Sequence, residues 1–225
     1  MNQSLPDDPT LDEIRNGIAP LLGLHAAFDG WNDQAVMAAG TDLGLDPDIA
    51  RLAMNGGAID LIDAWIGSVD LEMARRLPPE KLGGMKIRAR IAAMITTRLE
   101  IMAPNKDALR RAMAIMAMPQ NFLKSSRIGW RSADRMWRLA GDDSSDFNHY
   151  TKRITLSAVY ASTLAVYMND DAGNISENMS ETLAFLDRRI DNVMQFEKLK
   201  AQAKERQEFT PSLSRFVGRL RYPAR

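Results

Sequence analysis

Asn32-Asp-Gln-Ala-Val-Met-Ala-Ala-Gly-Thr-Asp-Leu-Gly-Leu-Asp-Pro-Asp-Ile-Ala-Arg-Leu-Ala-Met54 contains two short helices and the turn between them. Asn32 is a side-chain cap for a first helix that stops near Leu43–Gly44. Asp46 followed by Pro47 is an N-cap with proline at the first helical position, which opens a second helix ending at about Met54. Gly56–Gly57 breaks it. Two short helices joined through a glycine have the layout of a helix-turn-helix.

Helical patterning spreads outward from that pair. Upstream, Leu11, Ile14, Ile18, Leu21 and Leu22 fall at helical spacing behind a Thr10/Glu13 capping box, and predict one helix. Downstream, a long helix runs to Leu77, where Pro78–Pro79 ends one element and starts the next. Ile87, Ile91, Met94, Ile95 and Met102 mark a fifth helix that Pro104 stops. A sixth spans Ala108 to Met118, and a seventh runs from Pro119 to Gly141. Ser145 caps an eighth that continues through Met168. Asn174 and Glu177 form a capping box for a ninth, with Leu183, Leu186, Ile190, Val193 and Met194 on one face. Thr210–Pro211 caps a short last helix. The 29 Ala against 6 Val favour helix throughout. The expectation is an all-α chain of about ten helices in three parts: a helix-turn-helix part (1–56), a larger helical part for ligand binding and dimerisation (57–196), and a spacer with a terminal helix (197–225).

Composition excludes much chemistry. The 225 residues have no Cys, two His and a formal net charge of zero, so disulfides, thiol nucleophiles and Cys-based metal sites are ruled out. That zero is the sum of opposed ends, −4 over the first thirteen residues and +4 over the last fifteen. The longest apolar run, Ala112 to Met118, is far below the roughly 20 residues that span a bilayer. The acidic start resembles neither a secretory signal nor a transit peptide, so the chain reads as a bacterial cytosolic protein or a processed chain, the former being the simpler expectation. Asp146 and His149 are a carboxylate–His pair at metal spacing, and they lack further His. No cofactor is implied.

Three other features stand out. The second helix of the helix-turn-helix offers Asp46, Asp48 and a single cation, Arg51, a poor surface for a DNA duplex. Lys124, Arg127, Arg131, Arg135 and Arg138 share one helical face, either a solvated surface or one that meets anionic lipid or an acidic protein. In the last fifteen residues Leu213, Phe216, Val217 and Leu220 form an apolar stripe beside Arg215, Arg219, Arg221 and Arg225. Such a helix docks on the protein's own core, on a partner, or in a membrane interface. Half of the 14 Met lie between Met85 and Met136, as core or as an adaptable ligand wall.

The most specific stretch is Met136-Trp-Arg-Leu-Ala-Gly-Asp-Asp-Ser-Ser-Asp-Phe-Asn-His-Tyr-Thr-Lys-Arg153. It resembles the signature of the ubiquinone (coenzyme Q) biosynthesis accessory family, protein nine of that pathway, Met-Trp-x-x-Ala-Gly-Asp leading into Asp-Phe-Asn-x-Tyr-Thr-[Lys/Arg]-Arg. The resemblance continues through Leu156, Ala158, Tyr160 and Thr163, then Phe185, Leu186, Arg189, Ile190 and Asn192. Gly40, Leu43, Gly44 and Leu45 likewise stand where TetR-type regulators place their helix-turn-helix turn.

The resemblance implies a TetR-like fold without DNA binding and a non-catalytic protein that binds an isoprenoid lipid or quinone intermediate. It implies presentation of that lipid to the di-iron demethoxyubiquinone hydroxylase, a homodimer, and a setting peripheral to the inner (cytoplasmic) membrane. The partner patch then comprises Met136, Trp137, Asp146, Asn148, His149, Tyr150 and Arg153; His149 stands where animal members place Trp, a smaller aromatic anchor. The membrane helix is carried by Leu213, Arg215, Phe216, Val217, Arg219 and Leu220. The lipid wall is expected at Met94, Ile95, Met113, Met116, Leu156 and Tyr160. The alternative function is a TetR-type ligand-responsive transcription regulator, and a third class is a di-iron oxidase.

Overall fold

The computed structural model describes residues 5–143, 147–170 and 179–209, with side chains at 5–143, 149–170 and 179–195. Those residues form eleven α-helices and two single 3-10 turns. The first four are α1 (Leu11–Ile18), α2 (Leu22–Asp29), α3 (Asp33–Asp42) and α4 (Pro47–Ala53). They are followed by α5 (Ala58–Arg76), α6 (Pro79–Gly83), α7 (Ile87–Met102), α8 (Lys106–Met116), α9 (Phe122–Leu139), α10 (Phe147–Asn169) and α11 (Ser180–Phe209). Chain packing groups Met1–Leu186 as one compact unit and Asp187–Arg225 as another.

Local chemistry explains most boundaries. Thr10 and Glu13 close a reciprocal capping box on α1, and Asn32 accepts from the backbone of Gln34 and Ala35 at the start of α3. Asp46 accepts from Asp48 N at 2.8 Å, with Pro47 at the first position of α4. Two glycines make the turn between α3 and α4. Gly44 takes φ +72°, a backbone conformation that residues with a Cβ resist. A Cβ on Gly40 would lie 2.5 Å from the Ala50 Cβ, so α3 and α4 approach this closely only because position 40 has none.

The single helix expected over residues 11–22 is two. Pro20 has no N–H to give and its ring crowds the preceding turn, so α1 ends at Ile18 and α2 starts at Leu22. Ser145, Asn174 and Glu177, expected as caps, lie outside the described residues, as does the terminal helix expected from Thr210.

The long α5 is the spine of the first unit. Ile62, Ile66, Val69 and Met73 follow helical spacing and are buried, with α7 and α9 packed against this helix. Trp65 of α5 meets Trp31 at 5.3 Å between ring centroids, and Trp31 Nε1 donates to Ala108 O at 3.1 Å. Tilted aromatic pairs of this kind add about 0.5–1.5 kcal/mol beyond their buried area. This contact ties the helix-turn-helix part to the larger helical part. No helix among the described residues is long and apolar enough to cross a membrane.

Candidate functional site

Along their length α9 and α10 pack against each other, and they carry most of the residues singled out by sequence. At one end an aromatic cluster breaks the surface. Trp130 lies 6.2 Å from His149 and 5.9 Å from Tyr150, and His149 meets Tyr150 edge-on at 5.3 Å. Tyr150 is 57% exposed and Ile154, one turn on, is 62% exposed, so the cluster ends in an uncharged apolar face.

Ion pairs hold that face from below. Arg153 is buried and donates from Nε to Asp134 at 2.7 Å, and from Nη1 to Asp142 and to the His149 carbonyl at 3.0 Å each. Burial by itself would raise the Asp134 carboxyl. Hydrogen bonds from Arg153 and Arg138 outweigh it and hold the group below the ordinary carboxylate range. Lys152 donates to Asp142 at 2.5 Å and lies over the Trp137 ring, while Trp137 Nε1 donates to Lys152 O at 3.0 Å.

The expected partner residues therefore divide by depth. Tyr150 and His149 reach the surface, and Trp137 is half-buried under Lys152. Met136 and Arg153 are buried beneath them and hold the two helices in register. Asp146 and the side chain of Asn148 lie outside the described residues, as do all the expected membrane residues from Leu213 to Leu220.

The expected lipid wall divides too. Met94, Ile95, Leu156 and Tyr160 are buried on α7 and α10, and these helices meet where the Arg98 guanidinium stands 4.9 Å from the Tyr160 ring centre. Met113 and Met116 are only half-buried on α8, whose buried positions are Ala108, Leu109 and Ala112.

A charged cluster sits in the middle of this helical core. Arg98 forms a short ion pair with Asp70, and both side chains are 1% exposed. Ser132 Oγ donates to Asp70 Oδ2 at 3.1 Å and accepts from Arg98 Nη2 at 3.4 Å, while Arg98 Nε has no partner. Burial pushes the Tyr160 phenol above its ordinary range. Burial would also pull the Arg98 value down, but Tyr160 and Asp70 overcome it and Arg98 stays charged. Sequence reading missed this cluster, although a signal was there. Asp70 lies between Ile66 and Met73 on the apolar stripe of α5, and Arg98 lies among Met94, Ile95 and Met102 on that of α7.

The basic stripe on α9 is largely satisfied within the fold. Lys124 binds Asp60 at 2.8 Å, Arg131 pairs with Asp63, and Arg138 binds Asp134 at 2.6 Å. On α4 the lone Arg51 is held by Asp33 at 3.3 Å and Asp48 at 3.7 Å.

Comparison with known proteins singles out the same helix pair. Residues 122–197 match the COQ9 family, a stretch that covers α9 and α10 and enters α11. Through these residues the chain is similar to the COQ9 family. The similarity to its members extends further along the chain. Ubiquinone biosynthesis protein COQ9, mitochondrial, of Rattus norvegicus is 30% identical over 182 residues, 78% of this chain and 57% of that protein. The Homo sapiens protein of the same name is 30% identical over 78% of this chain and 56% of its own length. A probable ubiquinone biosynthesis protein coq9 of Dictyostelium discoideum is 27% identical over 78% of this chain and 58% of that protein. The chain thus spans somewhat over half the length of the COQ9 relatives it matches. A TetR transcriptional regulator from Nitrosomonas europaea superposes with a TM-score of 0.61 at 20% identity, covering 79% of this chain and 96% of that one. The fold is TetR-like and all-α.

Proposed function

We propose that this COQ9-like chain serves ubiquinone biosynthesis as a non-catalytic accessory protein. It binds an isoprenoid lipid or quinone intermediate within its larger helical part and presents it to the di-iron demethoxyubiquinone hydroxylase. The observation that carries the reading is the coincidence of the family-matched segment with α9 and α10. That one helix pair holds the exposed apolar face at Tyr150 and Ile154 and, on its inner side, Leu156 and Tyr160. A surface for a partner and a wall for a ligand are then two faces of one element.

The inner side suits a prenyl chain. Each methylene it buries is worth about 0.8 kcal/mol, so a few isoprene units suffice for firm retention. The Arg98–Tyr160 contact gives that apolar core one polar point. The terminal stripe from Leu213 to Leu220, with its arginines, serves as the membrane tether, which makes the protein peripheral to the inner (cytoplasmic) membrane. Each Arg near an anionic leaflet contributes about 1 kcal/mol to such a tether. A homodimer completes the reading. A TetR-type regulator fits less well, because α4 shows Asp46 and Asp48 where a duplex needs cations, and its Arg51 is engaged by two carboxylates.

The test is direct binding of the purified hydroxylase. Replacing Tyr150 and Ile154 together by Ser removes the apolar face without touching the Arg153 ion pairs, and is expected to weaken the complex by about tenfold or more. Equal affinity for the variant and the parent chain moves the partner surface elsewhere.

A further inference from the structure

The outward side of α4 is left without a role by the ubiquinone reading. In a helix-turn-helix this is the side that enters a DNA groove. Here Ala50, Ala53 and Met54 turn inward and are buried, while Ile49 is 44% and Leu52 is 60% exposed. Beside them Asp33 of α3 joins Asp48, Arg51, Leu52 and Asn55 around an open recess of about 390 Å³. Asp48, Leu52 and Asn55 lie at i, i+4 and i+7, so the recess runs along the helix.

The surrounding charge is strongly of one sign. Residues 5–56 contain nine carboxylates against two arginines, a net of −7. Both arginines are engaged: Arg15 binds Asp12 at 2.9 Å and the Ala53 carbonyl at 3.1 Å, and Arg51 binds Asp33 and Asp48. Such a field repels phosphate backbones and anionic bilayers alike, and it speeds encounter with a cation-bearing surface.

We propose that the outward face of α4 is a protein-docking surface that takes a basic amphipathic helix of a partner protein. Leucine-type side chains of that helix cover Ile49 and Leu52 beside the recess, whose lining is otherwise polar. Lys or Arg side chains of the same helix enter the recess to meet Asp33 and Asp48, with Asp46 close by in the chain. Exposed apolar side chains next to oppositely charged groups are what an amphipathic helix recognises on a partner surface. The regulator's recognition helix is then kept, but for a different partner. The inference needs neither the lipid nor the hydroxylase, and its face is separate from that of Tyr150 and Ile154.

Fluorescence polarisation with the full chain tests it. The probe is a fluorescein-labelled peptide with leucine and lysine at helical spacing, and the controls are its glutamate counterpart and duplex DNA of random sequence. The lysine peptide is expected to bind, more weakly as salt rises, while both controls fail. Two variants, Ile49→Ser with Leu52→Ser and Asp33→Asn with Asp48→Asn, are each expected to lose about tenfold or more in affinity. The replaced side chains are exposed, so both variants fold, as a thermal melt verifies. Equal binding by the variants, no binding by the parent chain, or DNA binding as tight as peptide binding overturns the proposal. Self-association in sedimentation velocity that the Ile49/Leu52 variant abolishes also overturns it, by giving the face to a second copy.

Discussion

Removing Asp70 leaves Arg98 as a buried cation with only Ser132 Oγ and the face of Tyr160 beside it. Breaking a buried pair in this way costs about 3–5 kcal/mol, most of it the penalty of a charge with no counter-ion. For a chain of this size each kcal/mol lowers the melting temperature by about 2–4 °C, so Asp70→Leu is expected to lower it by roughly 6–20 °C. The opposite deletion is milder. In Arg98→Met the carboxylate keeps the Ser132 hydroxyl at 3.1 Å and gains from Arg131, whose Nε lies 3.7 Å away on the half-exposed side. A loss of about 2–3 kcal/mol follows. The double variant removes both charges and fills the site with apolar side chains, which returns stability to within about 1–2 kcal/mol of the parent. Circular dichroism melts of the four proteins give the coupling energy directly. Equal losses for the two single variants, or additive losses in the double variant, refute the argument that an uncompensated charge dominates.

Three further outcomes follow from particular contacts. Gly40→Ala forces a Cβ to 2.5 Å from Ala50 and should cost about 1–3 kcal/mol in urea unfolding, with Ala50→Gly restoring much of it. Hydrogen bonds from Arg75 hold the Glu72 carboxyl at about 2, with Arg76 adding to the effect. Its folded pKa is depressed below 4.5, so its contribution is present above that pH and fades as pH falls toward 2; Glu72→Gln should flatten the acid limb of stability over that window. Truncation after Gln207 should abolish flotation with anionic liposomes, and retained flotation assigns the tether elsewhere.

Much of this fold is legible in residue order because its stops are chemical. Gly40 and Gly44, the Asn32 and Asp46 caps, and Pro104 and Pro119 each mark a boundary that the structure keeps to within a few residues. The break at Pro20 was concealed because Leu21 and Leu22 continue the apolar spacing of α1 on the far side of the turn. Depth was harder to read than position. Periodicity places Met136 and Arg153 beside Trp137 and Tyr150, but only the pairing of α9 with α10 decides that Arg153 points inward to Asp134 and Asp142 while Tyr150 points out. The same limit separated Met94 and Ile95 from Met113 and Met116, because Ala108 and Ala112 take the buried side of α8. Asp70 and Arg98 each interrupt an apolar stripe on their own helix; their meaning lies in their meeting, which no one-helix pattern contains.

If the larger helical part holds an isoprenoid lipid, the purified chain carries that lipid with it. Organic extraction of the purified full chain, followed by mass spectrometry of what is released, tests it most directly. The expected release is a prenylated quinone intermediate or another isoprenoid lipid in near-stoichiometric amount, reduced when Leu156 and Tyr160 are replaced by polar residues in a variant that still folds. Protein that releases no lipid, and takes up none when incubated with quinone-loaded vesicles, contradicts it.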